Sequence, residues 1–394
     1  MCGIGGVSLK KEWKAEKKFL YSLASHLEHR GPDGQGVYME ENVGLVHRRL
    51  SIIDVGGGAQ PICDESGKVH IVANGEIYNY RSLQKKLEEQ GVKFKTESDT
   101  EPALHLFVKN GLRYVDDLQG MYAIAVYNEQ TRELVISRDP YGIKPLYYCR
   151  NDKGVAFASE PAALVRSGWV EPEVDHNALA AYFNRQYTGG RQTIFKHIER
   201  VLPGETLVLR DGIIARKHRK IPKLTVPNYT LQEKTGAMFE DLFTKAVSSH
   251  LQADVPYGAF LSGGVDSSSM VIKMNELVDE LRTFTIGFES KSVADERQQA
   301  NSLANKLSAR HTNVHFTEED FWHYLPTMCR YMDDLVADYA ALPLLKLAEF
   351  AHKDVKVILS GEGGDEIFAG YGRYRPNWFS RLMRRPFRGK GDAA

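Results

Sequence analysis

The sequence predicts two domains of different class: a sheet-rich α+β domain with helical layers over residues 2–220, and a doubly wound parallel α/β domain over 230–394. Three observations carry this. Hairpin signals crowd the first two hundred residues, whereas strands alternate with helices after residue 230. Between them IPKLTVPNYT sets two prolines among mixed polar residues, the composition of a linker near 221–229. At 394 residues the chain is too long for one small domain, and its 42% apolar content suffices for real cores.

In chain order, residues 14–28 carry Phe19, Leu20, Leu23 and Leu27 at helical spacing. VHIVANG (69–75) reads as a strand running into an Asn-Gly turn, and RSLQKKLEEQ (81–90) as a helix. MYAIAVY (121–127) and LVISRD (134–139) form a hairpin across NEQTRE; LYYCR (146–150) and GVAFAS (154–159) form another across NDK. ETLVLRDGIIARK (205–217) is a third, with Asp-Gly at its turn. In the second domain an amphipathic helix over 231–250 precedes the strand YGAFL (257–261), a Gly/Ser loop and a helix. TFTIGF (283–288) is a strand, 295–309 a helix and NVHF (313–316) a strand. Two helices then lead to the strand VKVILS (355–360).

Lys+Arg and Asp+Glu balance at 51 each, so no global charge points to nucleic acid or membrane. The basic clusters RKHRK (216–220) and RLMRRPFRGK (381–390) read as solvated surface, with RNA binding as the other reading. No apolar run reaches about 18 residues, and GGVSL is followed at once by KKEWKAEKK, so neither a membrane span nor a signal peptide is expected. The four cysteines are widely spaced without a CxxC pair, which fits a reducing cytoplasm. Cys63, Cys149 and Cys329 read as buried small hydrophobes. His311 and His315 fall in an expected strand, without metal-ligand spacing.

The strongest chemical signal is FLSGGVDSSSM (260–270). A strand ends at Leu261, and Gly263 and Gly264 let backbone N–H groups turn inward at a helix start. That is an anion site, to which Ser262, Ser267 and Ser268 add donors. Asp266 would repel a phosphate directly and makes sense with Mg²⁺ between them. No Gly-Lys-Ser/Thr follows, so this is not a Walker A loop; a purely structural turn is the plainer alternative. VILSGEGGDE (357–366) is a second strand-end loop of the same kind. Asp365 would supply a second carboxylate to Mg²⁺ and Glu362 would face the reacting acyl group, unless each is simply a helix N-cap.

SGGVDSS resembles the PP-loop of the ATP pyrophosphatases, which cleave ATP between the α and β phosphates. Together with LSGEGGDE and GYGRY (370–374) it resembles the glutamine-hydrolysing asparagine synthetase family. The resemblance implies ATP contacts from Leu261, Ser262, Gly263, Gly264, Asp266, Ser267, Ser268, Ile286, Ser360 and Gly361. It also implies Mg²⁺ at Asp266 and Asp365, Glu362 assisting an acyl-adenylate, and Asp338 in ADYAALPLLKLA (337–348) near the amino-acid substrate.

A synthetase that activates a carboxylate needs ammonia, and the chain begins MCGIGGV. Removal of Met1 would leave a thiol and an α-amine on one carbon. Their ordinary pKa values are about 8.5 and about 8, so the amine can take the thiol proton. Alone, Cys2 could equally be a structural cysteine near a chain end. HRGPDGQG (29–36), HRRLSIID (47–54), NGEIYN (74–79) and ESDTE (97–101) supply what a glutamine would need. Arg49 suits the α-carboxylate, Glu76 and Asp99 the α-ammonium, and Asn74 with the Gly75 N–H the developing oxyanion. A surface ion pair for Arg49 and a plain turn at Asn74-Gly75 are the bland alternatives.

These motifs resemble the class II glutamine amidotransferase domain. The resemblance implies a four-layered αββα fold of the N-terminal nucleophile hydrolases, a Cys2 thioester, and glutamine contacts from Arg49, Leu50, Ser51, Ile52, Ile53, Asn74, Gly75, Glu76 and Asp99. It likewise implies an adenine nucleotide alpha hydrolase-like fold for the second domain. RDPYGIKPLYY (138–148) and FASEPAAL (157–164) also resemble the family, except that Pro161 stands where a Lys is usual, implying a local change at the domain interface.

The implied reaction is ATP-dependent amidation of aspartate with ammonia from glutamine, carried inside the protein and yielding asparagine, glutamate, AMP and pyrophosphate. Glutamine, aspartate and ATP are the implied partners, with no nucleic acid and no membrane; a homodimer is compatible. Relatives run beyond RRPFRGKGDAA, so the second domain is expected to be incomplete. The alternatives are amidation of a peptide or cell-surface precursor, glutaminase activity alone, or glutamine sensing.

Overall fold

The computed structural model describes residues 1–222, 235–288 and 295–374. The linker from residue 223 onward, the first turn of the helix expected over 231–250, and the basic run 381–390 lie outside the described residues. The chain forms two compact units, Met1–Pro256 with Glu318–Lys346, and Tyr257–Thr317 with Leu347–Ala394.

The first unit holds twelve strands among its described residues. They are β1 (Gly3–Leu9), β2 (Gly34–Glu40), β3 (Val43–Arg49), β4 (Ile62–Cys63), β5 (Val69–Ile77) and β6 (Gly120–Asn128). The remaining six are β7 (Glu133–Arg138), β8 (Tyr147–Asn151), β9 (Gly154–Ala158), β10 (Ile198–Arg200), β11 (Glu205–Arg210) and β12 (Ile213–Arg219). They form two six-stranded sheets, ordered β10-β8-β9-β1-β3-β2 and β12-β11-β7-β6-β5-β4, with antiparallel neighbours.

Period-two alternation gives each sheet two apolar faces. One face from each sheet meets in a shared core of Ile4, Leu45, Val72, Ile124's neighbours Ala123 and Ala125, Ile136, Phe157 and Leu207. The outer face of the first sheet packs on Leu20, Leu23 and Leu27 from the helix Lys17–Ser25 and the turn after it. The outer face of the second sheet packs on Leu83, Leu87, Leu104 and Phe107, from the helices Tyr80–Glu88 and Glu101–Asn110. Helices outside two facing sheets make the αββα sandwich. Each fully buried side chain of this size contributes about 1.5–3 kcal/mol.

The three expected hairpins form. The helix expected over 14–28 is shorter, Lys17–Ser25, and is followed by a single 3-10 turn at Glu28–Arg30. The turn expected at Asn74-Gly75 does not exist. β5 runs through to Ile77 because β6 pairs along its whole length, Asn74 opposite Ala123 and Gly75 opposite Tyr122. A full cross-strand partner outweighs a local turn signal. Of the three cysteines expected to be buried, Cys149 is, whereas Cys63 is half-buried and Cys329 is exposed on the helix Glu318–Tyr331.

The second unit has a parallel sheet of β13 (Tyr257–Phe260), β14 (Arg282–Phe288), β15 (Arg310–Phe316) and β16 (Val357–Leu359), ordered β15-β14-β13-β16. Strand order reverses between β13 and β16, and that switch point is where open α/β sheets bind ligands. Phe284, Val314, Leu347, Ala351 and Val355 form its core. Among the described residues no helix is long and apolar enough to cross a membrane.

Candidate active site

Two sites emerge, one in each unit. In the first, the register of β1 against β3 sets Gly3 opposite Arg48, which brings Cys2 to the end of β3. There the Leu50 N–H donates to Cys2 Sγ at 3.4 Å, and the thiol reaches the Leu50 carbonyl at 3.6 Å. Arg30 Nε donates to the Cys2 carbonyl at 3.0 Å.

Cys2 opens on a cleft that is also lined by Arg49, Leu50, Ile52, Ile53, Gly75, Glu76 and Asp99. Arg49 donates to the carbonyls of Val55 and Ile53 at 3.1 and 3.2 Å, and no carboxylate pairs with it among the described residues. Asn74 is 1% exposed, and its Nδ2 has no hydrogen-bond partner among the described residues. A buried amide rarely leaves a donor unused. Gly75 admits β6 closely: a Cβ there would lie 2.4 Å from the Met121 carbonyl oxygen. Ser51 and Asn74 are the exceptions among the expected residues, since neither lines the cleft; Ser51 is buried and its N–H donates to the Asp33 carboxylate at 2.8 Å.

The electrostatics are those of a site short of a cation. Asp99 Oδ2 accepts the Ile77 N–H at 2.7 Å. Burial pushes the Glu76 carboxyl well above its ordinary range, and the adjoining Asp99 carboxylate pushes it further. Burial raises Asp99 too, against the pull of its backbone donors. Burial also raises the Cys2 thiol, partly offset by the Leu50 hydrogen bond, and draws the Met1 amine down to about 6. Sequence reasoning did not single out Gly58, Gln60, Ala73, Ser98 or Thr100, all of which line the cleft. Ser98 and Thr100 flank Asp99 inside ESDTE and were within reach; Gly58 and Gln60 sit in a glycine-rich loop that carries no chemical signal. Lys144, 6% exposed, was also missed, and its charge acts on both Glu76 and Cys2.

In the second unit the loop after β13 leads into the helix Val265–Leu277. Ser262 and Ser267 hydroxyls lie 2.8 Å apart, and the Gly264 N–H donates to Ser262 Oγ at 3.2 Å. Ser267 is buried and its hydroxyl serves the loop itself, while Ser268 donates its N–H back to the Gly264 carbonyl. The Gly263 N–H is taken by Glu296 Oε2 at 3.1 Å, a residue the sequence did not indicate. Leu261 is buried at the strand end, and Ile286 lies on β14 against the core. The loop after β16, which carries Ser360, Gly361 and Glu362, brings Gly361 beside the first one. A Cβ on Gly361 would lie 2.9 Å from the Ser267 nitrogen, and one on Gly364 2.5 Å from the Asp266 carboxyl carbon. Asp365 stands in the first turn of the short helix Gly364–Phe368. Within GYGRY, the Arg373 side chain lies outside the described residues. Asp338, in the first unit, accepts the Ala340 N–H at 2.9 Å.

An antiparallel αββα unit with a thiol cleft, joined to a parallel unit with an anion loop, is the build of a glutamine amidotransferase. The glutamine amidotransferase domain profile matches residues 1–219 and the asparagine synthase profile residues 238–392. Over 379 residues the chain is 38% identical to asparagine synthetase (glutamine-hydrolyzing) 1 of Bacillus subtilis, covering 95% of this chain and 60% of that protein. It is 32% identical over 397 residues to a putative asparagine synthetase (glutamine-hydrolyzing) 2 of Methanocaldococcus jannaschii, covering 94% and 76%. Against asparagine synthetase B (glutamine-hydrolyzing) of Escherichia coli it is 32% identical over 394 residues, covering 94% and 65%. The chain belongs to the glutamine-hydrolysing asparagine synthetase family. It spans about 60% of the Bacillus subtilis relative's length.

Proposed function

We propose that this chain catalyses glutamine-dependent asparagine synthesis: L-aspartate, L-glutamine, ATP and water give L-asparagine, L-glutamate, AMP and pyrophosphate. The observation that carries the reading is the cleft in which Cys2, Arg49 and the Glu76–Asp99 acids meet, with Asn74 and its unused amide donor standing between the lining residues Ala73 and Gly75. Once Met1 is removed, the α-amine belongs to Cys2, where in its neutral form it can accept the thiol proton. The thiolate attacks the side-chain amide of glutamine. Asn74 Nδ2 and the Gly75 N–H receive the oxyanion, and ammonia leaves as the thioester forms. Arg49 takes the α-carboxylate, Glu76 and Asp99 take the α-ammonium, and Leu50, Ile52 and Ile53 wall the chain between them; water then releases glutamate. Ser51 supports this wall from behind through Asp33.

In the second unit ATP lies over the Ser262–Ser268 loop, with Leu261, Ile286, Ser360 and Gly361 around the nucleotide. Glu362 attends the acyl group as aspartate attacks the α-phosphorus and pyrophosphate departs, and ammonia then displaces AMP. Asp266 and Asp365 fit Mg²⁺. They are half-buried carboxylates at adjacent strand-end loops with no ion-pair partner among the described residues, and this metal takes one or two carboxylates plus phosphate oxygens and water. Bound there, it would neutralise the pyrophosphate charge. Cys2→Ala tests the reading: glutamine-dependent AMP formation with aspartate should vanish and ammonia-dependent formation persist, and loss of both defeats the two-site scheme.

A further inference from the structure

A cavity of about 260 Å³ lies at the end of β1 opposite Cys2. The seven residues of β1 put roughly 20 Å of strand between it and the thiol cleft, and the two share no lining residue. Its floor is Val7 and Leu9, both buried in the core between the first sheet and the helix Lys17–Ser25. Its walls are aromatic: Phe19, Trp169, which is 9% exposed, and Trp13 at the rim, 41% exposed.

These walls are braced. The Phe19 and Trp169 rings lie 5.4 Å apart, tilted by 48°. The Trp169 indole N–H donates to the Cys149 carbonyl at 3.3 Å, and Asn151 Nδ2 donates to the Trp169 carbonyl at 3.1 Å. Asn151 Oδ1 accepts the Lys153 N–H at 2.9 Å. The Lys10 N–H donates to the Lys153 carbonyl at 2.9 Å, and the Trp13 N–H to the Lys10 carbonyl at 2.9 Å. The turn between β8 and β9 thus holds Trp13 on one side and Trp169 on the other. A pocket formed in advance loses less ordering entropy when it binds.

The charge around it is lopsided. Lys14, Lys18 and Lys153 line the cavity against one carboxylate, Glu16. The three lysines are exposed, and none forms an ion pair among the described residues. Lys153 Nζ stands 4.9 Å from the centroid of the Trp13 ring, so cation and aromatic wall already adjoin.

We propose that this cavity binds a flat aromatic ring bearing a carboxylate or phosphate. The ring lodges among Trp13, Phe19 and Trp169, and the anion meets Lys14, Lys18 and Lys153. Neither half suffices alone. A bare anion would find only exposed ammonium groups, each worth little in water. A neutral ring would leave the lysines without a counter-charge. The site is separate from the function proposed above, and glutamine has no part in it.

Calorimetric titration of the full chain tests this, with naphthoate and naphthyl phosphate as probes. Naphthol and cyclohexanecarboxylate serve as the ring-only and anion-only controls. At least one aromatic anion should bind one per chain, about tenfold or more tighter than either control, and the ratio of the two separates carboxylate from phosphate. Trp13→Ala, and Lys14→Glu combined with Lys153→Glu, should each weaken binding about tenfold. All three side chains are exposed, so the melting temperature should not move. No saturable binding up to about 1 mM overturns the site. So do equal affinity for naphthol, displacement by glutamine, and unchanged affinity in both variants.

Discussion

The Leu50 N–H donates to Cys2 Sγ at 3.4 Å, so the end of β3 grips the thiol before any substrate arrives. The grip lowers the thiol pKa less than burial raises it. In protein that retains Met1, alkylation of Cys2 by iodoacetamide should still be accelerating at about pH 9, since the thiolate is the reacting form. A plateau below about pH 8 would contradict this.

Asn74, between the cleft-lining Ala73 and Gly75, carries a buried donor with no partner among the described residues. Asn74→Ala should therefore cost about 100- to 1,000-fold in kcat for glutamine hydrolysis with little change in KM, because the bond matters only as the oxyanion forms. Steady-state kinetics of ammonia release decide it, and a change confined to KM would assign Asn74 to ground-state binding.

Glu76 and Asp99 both bind protons more tightly folded than unfolded. Between the ordinary carboxylate range and those raised values the folded state holds more protons, so stability falls as pH climbs through that window. Glu76→Gln removes one charge. It should stabilise the protein at about pH 8 by on the order of 1–2 kcal/mol and change little at about pH 4. Thermal melts across that range check the sign, and glutamine should narrow the difference by supplying its ammonium to the parent.

Gly364 is fixed by the Asp266 carboxylate at its back. Gly364→Ala should push Asp266 aside at a cost of about 1–3 kcal/mol, dropping AMP formation about tenfold or more and sparing glutamine hydrolysis. Equal loss of both activities would place the damage in folding.

Much of this was legible from residues alone. The hairpins and the parallel unit announce themselves through alternation and Asp-Gly turns, and SGGVDSS marks its strand-to-helix loop directly. The cleft was legible only as a parts list: Cys2, Arg49, Gly75 and Asp99 lie far apart in sequence and meet because β3 pairs with β1 while β5 lies in the facing sheet. What local reading missed was decided by partners it could not see. β6 straightens the Asn74-Gly75 step, Asp33 turns Ser51 away from the cleft, and Glu296 reaches Gly263 from a later helix.

The strand order of the second unit also sets a timetable. Tyr257 pairs with Val357, so the loops that follow β13 and β16 meet only after β16 is made. Every strand of the first unit, ending at Arg219, leaves the ribosome before β16, which ends at Leu359. At common elongation rates that interval is roughly ten to thirty seconds. During synthesis every residue that lines the thiol cleft, none later than Thr100, is thus in place well before the two strand-end loops of the second unit can meet.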